Sequence, residues 1–151
     1  MRPIEINTKS AKETKKVGFN LVAALGKKPT LNKALIITLE GNLGSGKTTF
    51  IQGLAKGFGV RENVLSPTFV ILKEFPLSSG NFQNFYHVDA YRLKNPEELL
   101  ELGFKDVIKN PKNLIVIEWA DKIKKILPRG IIKIKFENLG KNKRKIIINK
   151  Q

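Results

Sequence analysis

Two segments of the chain carry hydrophobic residues at helical spacing. In the first, Ser10 and Glu13 have the spacing of a capping box, and one helical face is then formed by Ala11, Gly18, Leu21, Val22 and Leu25. This pattern predicts a helix that ends near Gly26. In the second, apolar residues recur at i, i+3, i+4 and i+7 before Gly59, which is placed to end the helix: Ile51, Leu54, Ala55 and Phe58.

Two other segments are apolar without alternation. Residues 34–39, bounded by Gly41, and residues 114–118, which end on an acid, are short and rich in β-branched side chains. Such runs are typical of strands buried on both faces of a sheet. The first of them, followed by a glycine-rich turn and a helix, makes a strand–loop–helix unit.

Two hairpins and a short helix complete the predicted elements. Residues 69–75 and 82–89 flank a polar turn and predict antiparallel strands. Residues 132–136 alternate and 144–148 follow a turn, which predicts a terminal hairpin with lysines on its solvent face. The sequence Asn95-Pro96-Glu97-Glu98 supplies an N-cap, a first-turn proline and two acids, so it predicts a short helix.

The composition limits the class of protein. The 151 residues (17.0 kDa) suffice for one domain, and we expect a single domain over residues 1–151. A chain that is 41% hydrophobic and 27% charged is not disordered, and no apolar run approaches the roughly 18 residues of a membrane span. The lack of cysteine excludes disulfides and thiol chemistry. With no secretory signal evident, we expect a cytoplasmic protein that does not enter a membrane.

The positive charge is concentrated at one end of the sequence. Residues 122–151 hold eleven Lys or Arg and one acid, Glu137, a net charge of +10 out of +15 for the whole chain. Such asymmetry indicates a polyanionic partner, most simply nucleic acid. The alternative is that lysine serves here only as a solvated surface residue.

The turn after the first buried strand fits the phosphate-binding loop pattern, two glycines four residues apart and then Lys and Thr. Its residues are Gly41, Asn42, Leu43, Gly44, Ser45, Gly46, Lys47 and Thr48. Glycines let successive N–H groups face a triphosphate, at which the next helix directs its positive end. We expect Lys47 to reach the β and γ phosphates, Thr48 to offer a hydroxyl to Mg²⁺, and Thr49 to extend the cradle. The fold class that follows is α/β, a P-loop NTPase-like mixed sheet with flanking helices.

A nucleotide-bound Mg²⁺ usually takes a protein carboxylate, directly or through water. Glu118 is the leading candidate because it ends a buried strand, and ligands of open α/β sheets lie beyond the carboxyl ends of the strands. Asp89, at the end of a hairpin strand, either binds Mg²⁺ or orients the attacking water. Trp119 either covers the site or only packs. The single histidine, His87, is interpreted as structural.

Other motifs bear on which nucleotide the loop would bind. The segment Ser66-Pro67-Thr68-Phe69 has hydroxyls suited to a switch near the γ-phosphate, and Arg92 either meets phosphate or pairs with Glu97 or Glu98. The guanine-binding Asn-Lys-x-Asp and the Asp-x-x-Gly segments of switch GTPases are absent from the sequence. Adenine is therefore favoured. No internal arginine finger is evident.

In this order the motifs resemble the TsaE (YjeE) family. The shared segments are the phosphate loop, Ser66–Phe69, His87-Val88-Asp89-Ala90-Tyr91-Arg92-Leu93, Glu97-Glu98-Leu99 with Leu102-Gly103, and Ile117-Glu118-Trp119. The family often has proline and an acid after the Glu-Trp pair, where Ala120 and Asp121 stand here. Its usual Gly-Arg in the terminal hairpin is replaced by Gly140-Lys141-Asn142-Lys143-Arg144.

The resemblance implies a small P-loop ATPase that binds ATP and Mg²⁺. It implies work with the TsaD and TsaB proteins in forming N6-threonylcarbamoyladenosine at position 37 of tRNA, without performing the transfer itself. It also implies that Lys47, Thr48 and Thr49 hold phosphates and Mg²⁺, that Glu118 is the metal-side acid and Asp89 a catalytic or metal-linked acid, and that Trp119 borders the site.

Two other functions compete with this one at the level of the residues. A metabolite kinase is supported by the phosphate loop and the segment 89–92, and it would make ADP only with a small-molecule acceptor. A nucleic-acid-binding module with a vestigial nucleotide site is supported by the basic end of the chain. For that end, we expect Lys135, Lys141, Lys143 and Arg144 to contribute to tRNA or to an acidic partner surface.

Overall fold

The structure is a computed structural model that describes residues 2–25, 32–42, 44–62, 64, 71–78 and 80–150. Its strands are β1 Ile4–Thr8, β2 Leu35–Glu40, β3 Leu72–Pro76, β4 Asn84–Asp89, β5 Asn113–Glu118, β6 Ile132–Gly140 and β7 Lys143–Lys150. Its helices are α1 Ala11–Leu25, α2 Lys47–Gly57, α3 Glu97–Leu100, α4 Phe104–Lys109 and a 3₁₀ helix at Ala120–Ile126.

Most of the predicted elements are confirmed. Helices α1, α2 and α3, the buried strands β2 and β5, and both hairpins lie where the patterns place them. Strand β3 begins at Leu72 instead of residue 69, and residues 65–70 lie outside the described part of the chain. Strand β1, helix α4 and the 3₁₀ helix are not predicted by the patterns. Strand β1 lies at the sheet edge with most of its side chains exposed, so it has little of the apolar signal that marks a buried strand.

The strands form one seven-stranded mixed sheet in the order β1-β7-β6-β2-β5-β4-β3. The four central strands, β6, β2, β5 and β4, are parallel, and the antiparallel pairs lie at the two edges. Strand β5 is buried along its whole length and β2 over Leu35–Leu39, as expected for parallel strands covered on both faces.

Helices cover the two faces of the sheet. On one face α1 and α2 pack over a cluster that includes Leu39 and Val116. On the other face, Leu99, Phe104 and Ile123 come from α3, α4 and the 3₁₀ helix and pack against the strands. No helix among the described residues is long and apolar enough to cross a membrane.

Two glycines allow α1 and α2 to approach closely. A Cβ atom added at Gly18 would lie 2.3 Å from the carbonyl oxygen of Phe50, and one added at Gly53 would lie 1.9 Å from the carbonyl oxygen of Lys15. Both obstacles are backbone atoms, so a side chain fits only if the helices move apart. Because α2 begins at Lys47, this contact fixes the position of the phosphate loop.

We predict that Gly18→Ala destabilises the protein although alanine is the better helix former. Overpacking against the backbone of α2 should lower the free energy of unfolding by about 1–3 kcal/mol, more than the up to about 1 kcal/mol that helix propensity returns. Urea denaturation measures it, with Asn20→Ala on the exposed side of α1 as the control. A Gly18→Ala protein more stable than the wild type would contradict the close approach.

Candidate phosphate-binding site

The ends of three parallel strands bring the predicted site residues to one edge of the sheet. Strands β2, β5 and β4 are adjacent, with Glu118 in register with Leu39 on one side and with Asp89 on the other. The phosphate loop leaves β2 at this same edge. The fold therefore places the loop, Asp89 and Glu118 together, as the strand-end argument predicted.

The backbone of the loop is arranged for an anion. Gly41, Gly44 and Gly46 have φ angles of +155°, +76° and +96°. The first helical bond of α2 runs from the N–H of Phe50 to the carbonyl of Gly46 at 3.0 Å, so the N–H groups of residues 47–49 have no acceptor within the helix. Together with the positive end of α2, these donors are suited to bind an anion. Leu43, predicted to line the nucleotide, lies outside the described residues, as do Ser66–Phe69.

Gly41 is required by crowding. A Cβ atom there would lie 2.7 Å from Ser45 Oγ and 3.0 Å from the carbonyl oxygen of Phe136. The hydroxyl of Ser45 is buried and has no hydrogen-bond partner among the described residues. The Ser45 N–H donates to the carbonyl of Asn42 at 3.1 Å, which closes the loop on itself. Asn42 is exposed, and Thr48 and Thr49 are half-buried in the first turn of α2.

The ammonium group of Lys47 lies inside the loop. Its Nζ donates to the carbonyl of Gly41 at 2.6 Å and lies 4.2 Å from the centre of the Trp119 ring, with only 5% of the residue exposed. Burial lowers the pKa of Lys47, while the charges of Glu118, Asp89 and Asp121 act in the opposite direction. Of these three acids, Asp121 is the one that the sequence did not predict as a site residue. It lies beyond the end of β5, within the 3₁₀ helix.

Trp119 is turned toward Lys47 by an unusual backbone. It has a φ of +58° directly after β5, a left-handed conformation that is uncommon for a bulky residue. Its ring packs against Tyr91 with centroids 5.1 Å apart, and Tyr91 is itself 48% exposed. The structure thus places Trp119 at the border of the site, where it lies against the Lys47 cation.

Glu118 is held by the histidine. His87 Nε2 and Glu118 Oε2 are 2.8 Å apart, and the two residues are 1% and 4% exposed. His87 lies on β4 and Glu118 on β5, so the contact joins neighbouring strands below the loop. This buried position agrees with the interpretation of His87 as a structural residue, because its ring contacts and orients the carboxylate of Glu118.

Asp89 has a different environment from Glu118. Its Oδ1 accepts a hydrogen bond from the N–H of Tyr91 at 3.0 Å. Burial raises the pKa of Asp89 and the nearby charge of Glu118 adds to this, while the Tyr91 hydrogen bond, His87 and Lys47 lower it, for a net rise. The described residues contain no group of three or more His, Cys, Asp or Glu that would hold a metal by itself.

Arg144, expected to contribute to tRNA or to an acidic partner surface, also contacts the loop. Its Nη2 donates to the carbonyl of Gly44 at 2.9 Å. This contact has a topological cause, because β7 returns beside β6 and starts at the same end of the sheet as the loop. No local pattern relates residues one hundred positions apart.

A comparison with known families bears on the whole chain. The family model described as threonylcarbamoyl adenosine biosynthesis protein TsaE matches residues 8–146. The chain belongs to the TsaE family. The family resemblance drawn from the motifs is confirmed.

Individual proteins similar to this chain support the same family assignment. A protein of Rickettsia felis named tRNA threonylcarbamoyladenosine biosynthesis protein TsaE is 44% identical over 133 residues, which cover 87% of this chain and 71% of that protein. A Bacillus subtilis protein of the same name is 35% identical over 146 residues, 97% of this chain and 85% of that one. The crystal structure of Bacillus subtilis YdiB superposes with a TM-score of 0.66 at 28% identity, covering 97% and 84% of the two chains.

We predict that Asp89→Asn stabilises the protein at pH 7. The pKa of Asp89 is raised by folding, so above that pKa the native state holds a partly buried charge that the unfolded chain solvates freely. Asparagine keeps the acceptor for Tyr91 without the charge. Thermal unfolding should show a midpoint higher by about 1–2 °C, a small gain because solvent screens a partly exposed charge.

The gain should shrink as the pH falls through the raised pKa toward the ordinary value of 3.8, because the wild-type carboxyl is then protonated as well. Asp106→Asn, which alters an exposed acid on α4, is the control. A midpoint difference that does not change with pH would contradict a raised pKa of Asp89.

Proposed function

We propose that this chain is a P-loop ATPase that supports the TsaD and TsaB proteins in forming N6-threonylcarbamoyladenosine at position 37 of tRNA. Membership of the TsaE family supports the pathway, because the relatives carry that pathway in their names. The observation that carries the ATPase assignment is the buried ammonium of Lys47, which donates to the carbonyl of Gly41 in the loop and is close enough to Glu118 and Asp89 for their charges to act on its pKa.

The loop suits a nucleotide triphosphate. In this proposal the N–H groups of residues 47–49 and the Lys47 ammonium bind the phosphate oxygens, replacing the Lys47 bond to the carbonyl of Gly41. Trp119 shields the cation from water, which strengthens its attraction for phosphate. The remaining loop residues predicted to contact the nucleotide supply backbone: Asn42, Leu43, Gly44, Ser45 and Gly46.

The donors also fit Mg²⁺. This cation prefers oxygen ligands and is usually held by one or two protein oxygens together with substrate phosphates and waters, so a preformed cluster of acids is not needed. The hydroxyl of Thr48 and the carboxylate of Glu118 would hold it, and when bound it neutralises charge that develops on the phosphates. His87 keeps the Glu118 carboxylate in place.

Asp89 is suited to the attacking water. A carboxylate with a raised pKa accepts a proton more readily than an ordinary one, and the Tyr91 N–H leaves one carboxylate oxygen uncommitted by that bond. Hydrolysis by the chain alone should be slow, since phosphoryl transfer depends on complete positioning and charge stabilisation. Partner proteins would complete the site.

We predict Mg²⁺-dependent ATP hydrolysis that TsaD and TsaB together stimulate, measured with and without tRNA. Lys47→Ala should lower the stimulated rate by about 10²-fold or more, because it removes a cation from the transferred phosphoryl group. Glu118→Gln, which keeps the shape and the contact with His87, should lower it comparably. Lys56→Ala, an exposed lysine on the same helix, is the matched control.

Two results would contradict this proposal. Equal rates in Lys47→Ala and wild type would remove the phosphate loop from the chemistry. ADP release that depends on a small-molecule acceptor, without any effect of the partner proteins, would indicate a kinase instead.

We also propose that tRNA contacts the basic end of the chain. Lys135, Lys141 and Lys143 have exposed side chains on β6, the following turn and β7. Arg144, predicted to contribute to the same surface, also donates to the carbonyl of Gly44.

We predict that tRNA affinity falls steeply with salt and that replacing all three exposed lysines by glutamine lowers the slope of log K against log salt by about 2. The reason is that each phosphate contact releases counterions. Filter binding over a salt series measures it, with Lys105→Gln on α4 as the control. An unchanged slope in the triple variant would show that these three lysines do not contact the tRNA.

A further inference from the structure

Arg144 ties the terminal hairpin to the phosphate loop. Its Nη2 donates to the carbonyl of Gly44 at 2.9 Å, while Nη1 donates to Asn138 Oδ1 at 3.0 Å and to the carbonyl of Lys143 at 2.9 Å. Three of the five N–H donors of the guanidinium are thus used by acceptors within the protein. A side chain committed in this way acts on the loop and is poorly placed to reach outward.

The hairpin fixes the direction of the Arg144 side chain. The pairing of β6 and β7 shifts register between Asn138 and Gly140, where Asn138 Oδ1 also accepts the N–H of Gly140 at 2.8 Å. Lys141 and Asn142 then turn the chain with φ angles of +46° and +64°. Two consecutive positive φ angles make a tight hairpin turn, and an irregularity beside it re-aims the side chains that follow.

The stem of Arg144 forms a wall behind the loop. A Cβ atom built on Gly46 would lie 3.6 Å from Arg144 Nε, 3.7 Å from its Cγ and 3.5 Å from Thr14 Cγ2. Thr14 is anchored by a buried 2.7 Å hydrogen bond to the hydroxyl of Thr8, the residue paired with Arg144 across β1 and β7. The Nε is buried and has no hydrogen-bond partner among the described residues.

The peptide unit between Gly44 and Ser45 is held at both ends. Its carbonyl accepts from Arg144, and its N–H donates to the carbonyl of Asn42 at 3.1 Å. Since a trans peptide is planar, fixing both groups fixes the orientation of the whole unit. The loop that follows, from Gly46 into α2, then presents its free N–H groups in a set direction.

We propose that Arg144 is a positioning residue for the nucleotide phosphates. It holds the Gly44–Ser45 peptide in the anion-binding arrangement and keeps a permanent positive charge behind the loop, and its loss weakens the binding of nucleotide triphosphate. This inference rests on the proposed nucleotide-binding function of the loop. It assigns to the basic end of the chain a second task besides any contact with RNA.

The test compares Arg144→Gln and Arg144→Lys with Lys150→Gln. Lys150 lies at the opposite end of β7 from Arg144 and its side chain is exposed, so Lys150→Gln removes the same charge from the same strand without touching the loop. Equilibrium binding of ATP and of ADP is followed through the fluorescence of Trp119, the single tryptophan of the chain, which lies against Lys47. Steady-state hydrolysis with the partner proteins supplies KM and kcat separately.

We expect Arg144→Gln to weaken ATP binding by about tenfold and to raise KM by a similar factor, with kcat changed less than about threefold, because the loop is misplaced before the chemistry begins. Arg144→Lys should fall between this variant and the wild type, since lysine keeps the charge but lacks the fork that bridges three acceptors. Lys150→Gln should bind ATP within about twofold of the wild type, as a screened surface charge does.

Three outcomes would overturn the inference: ATP affinity unchanged in Arg144→Gln, an equal loss in Lys150→Gln, or a loss confined to kcat. Thermal unfolding checks that the variants are folded, and if Arg144→Gln does not fold, the binding deficit of Arg144→Lys decides. Wild-type protein that binds ATP but does not hydrolyse it with the partners would refute the proposed ATPase while leaving this comparison readable. Wild-type protein that binds no ATP would refute both.

Discussion

The site depends on a cation that is kept out of water. A buried ammonium is costly unless other groups replace its hydration, and Lys47 finds the carbonyl of Gly41, the face of Trp119 and the charges of two strand-end carboxylates. These partners come from three elements: the loop, the end of β4 and the end of β5. All three must therefore be assembled before the cation is satisfied.

The position of Lys47 is set by packing as well as by electrostatic interactions. Helix α2 carries Lys47, and it is pressed against α1 so closely that Gly18 and Gly53 admit no side chain. The start of α2, at Gly46, also lies near Thr14 of α1 and Arg144 of β7. A loop rich in glycine is flexible in isolation, so its shape here is imposed by the neighbours that surround it.

The two acids at the strand ends, Glu118 and Asp89, lie in different surroundings. Glu118 is deeply buried and its carboxylate is bound by His87, whereas Asp89 is partly exposed and its pKa is raised chiefly by burial. Carboxylates in different environments suit different tasks, one as a fixed ligand and the other as a group that exchanges protons. The contact with His87 is one of the features by which the two acids at this end of the sheet differ.

The sequence by itself determined the local elements and the chemistry of the loop. The helical spacing of α1, the unbroken apolar runs of β2 and β5, and the glycine pattern before Lys47 are short-range signals, and each follows from the periodicity or the conformational freedom of residues close in the chain. The motif order was also enough to indicate the family. Only the tertiary structure decided that His87 contacts Glu118, that Asp121 lies near Lys47, and that Arg144 donates to the carbonyl of Gly44. Strand β1 was missed for the same reason, because an exposed edge strand owes its existence to pairing with β7. These features depend on contacts between distant parts of the chain, and the order of strands in the sheet, which no local pattern encodes, determines which distant residues meet.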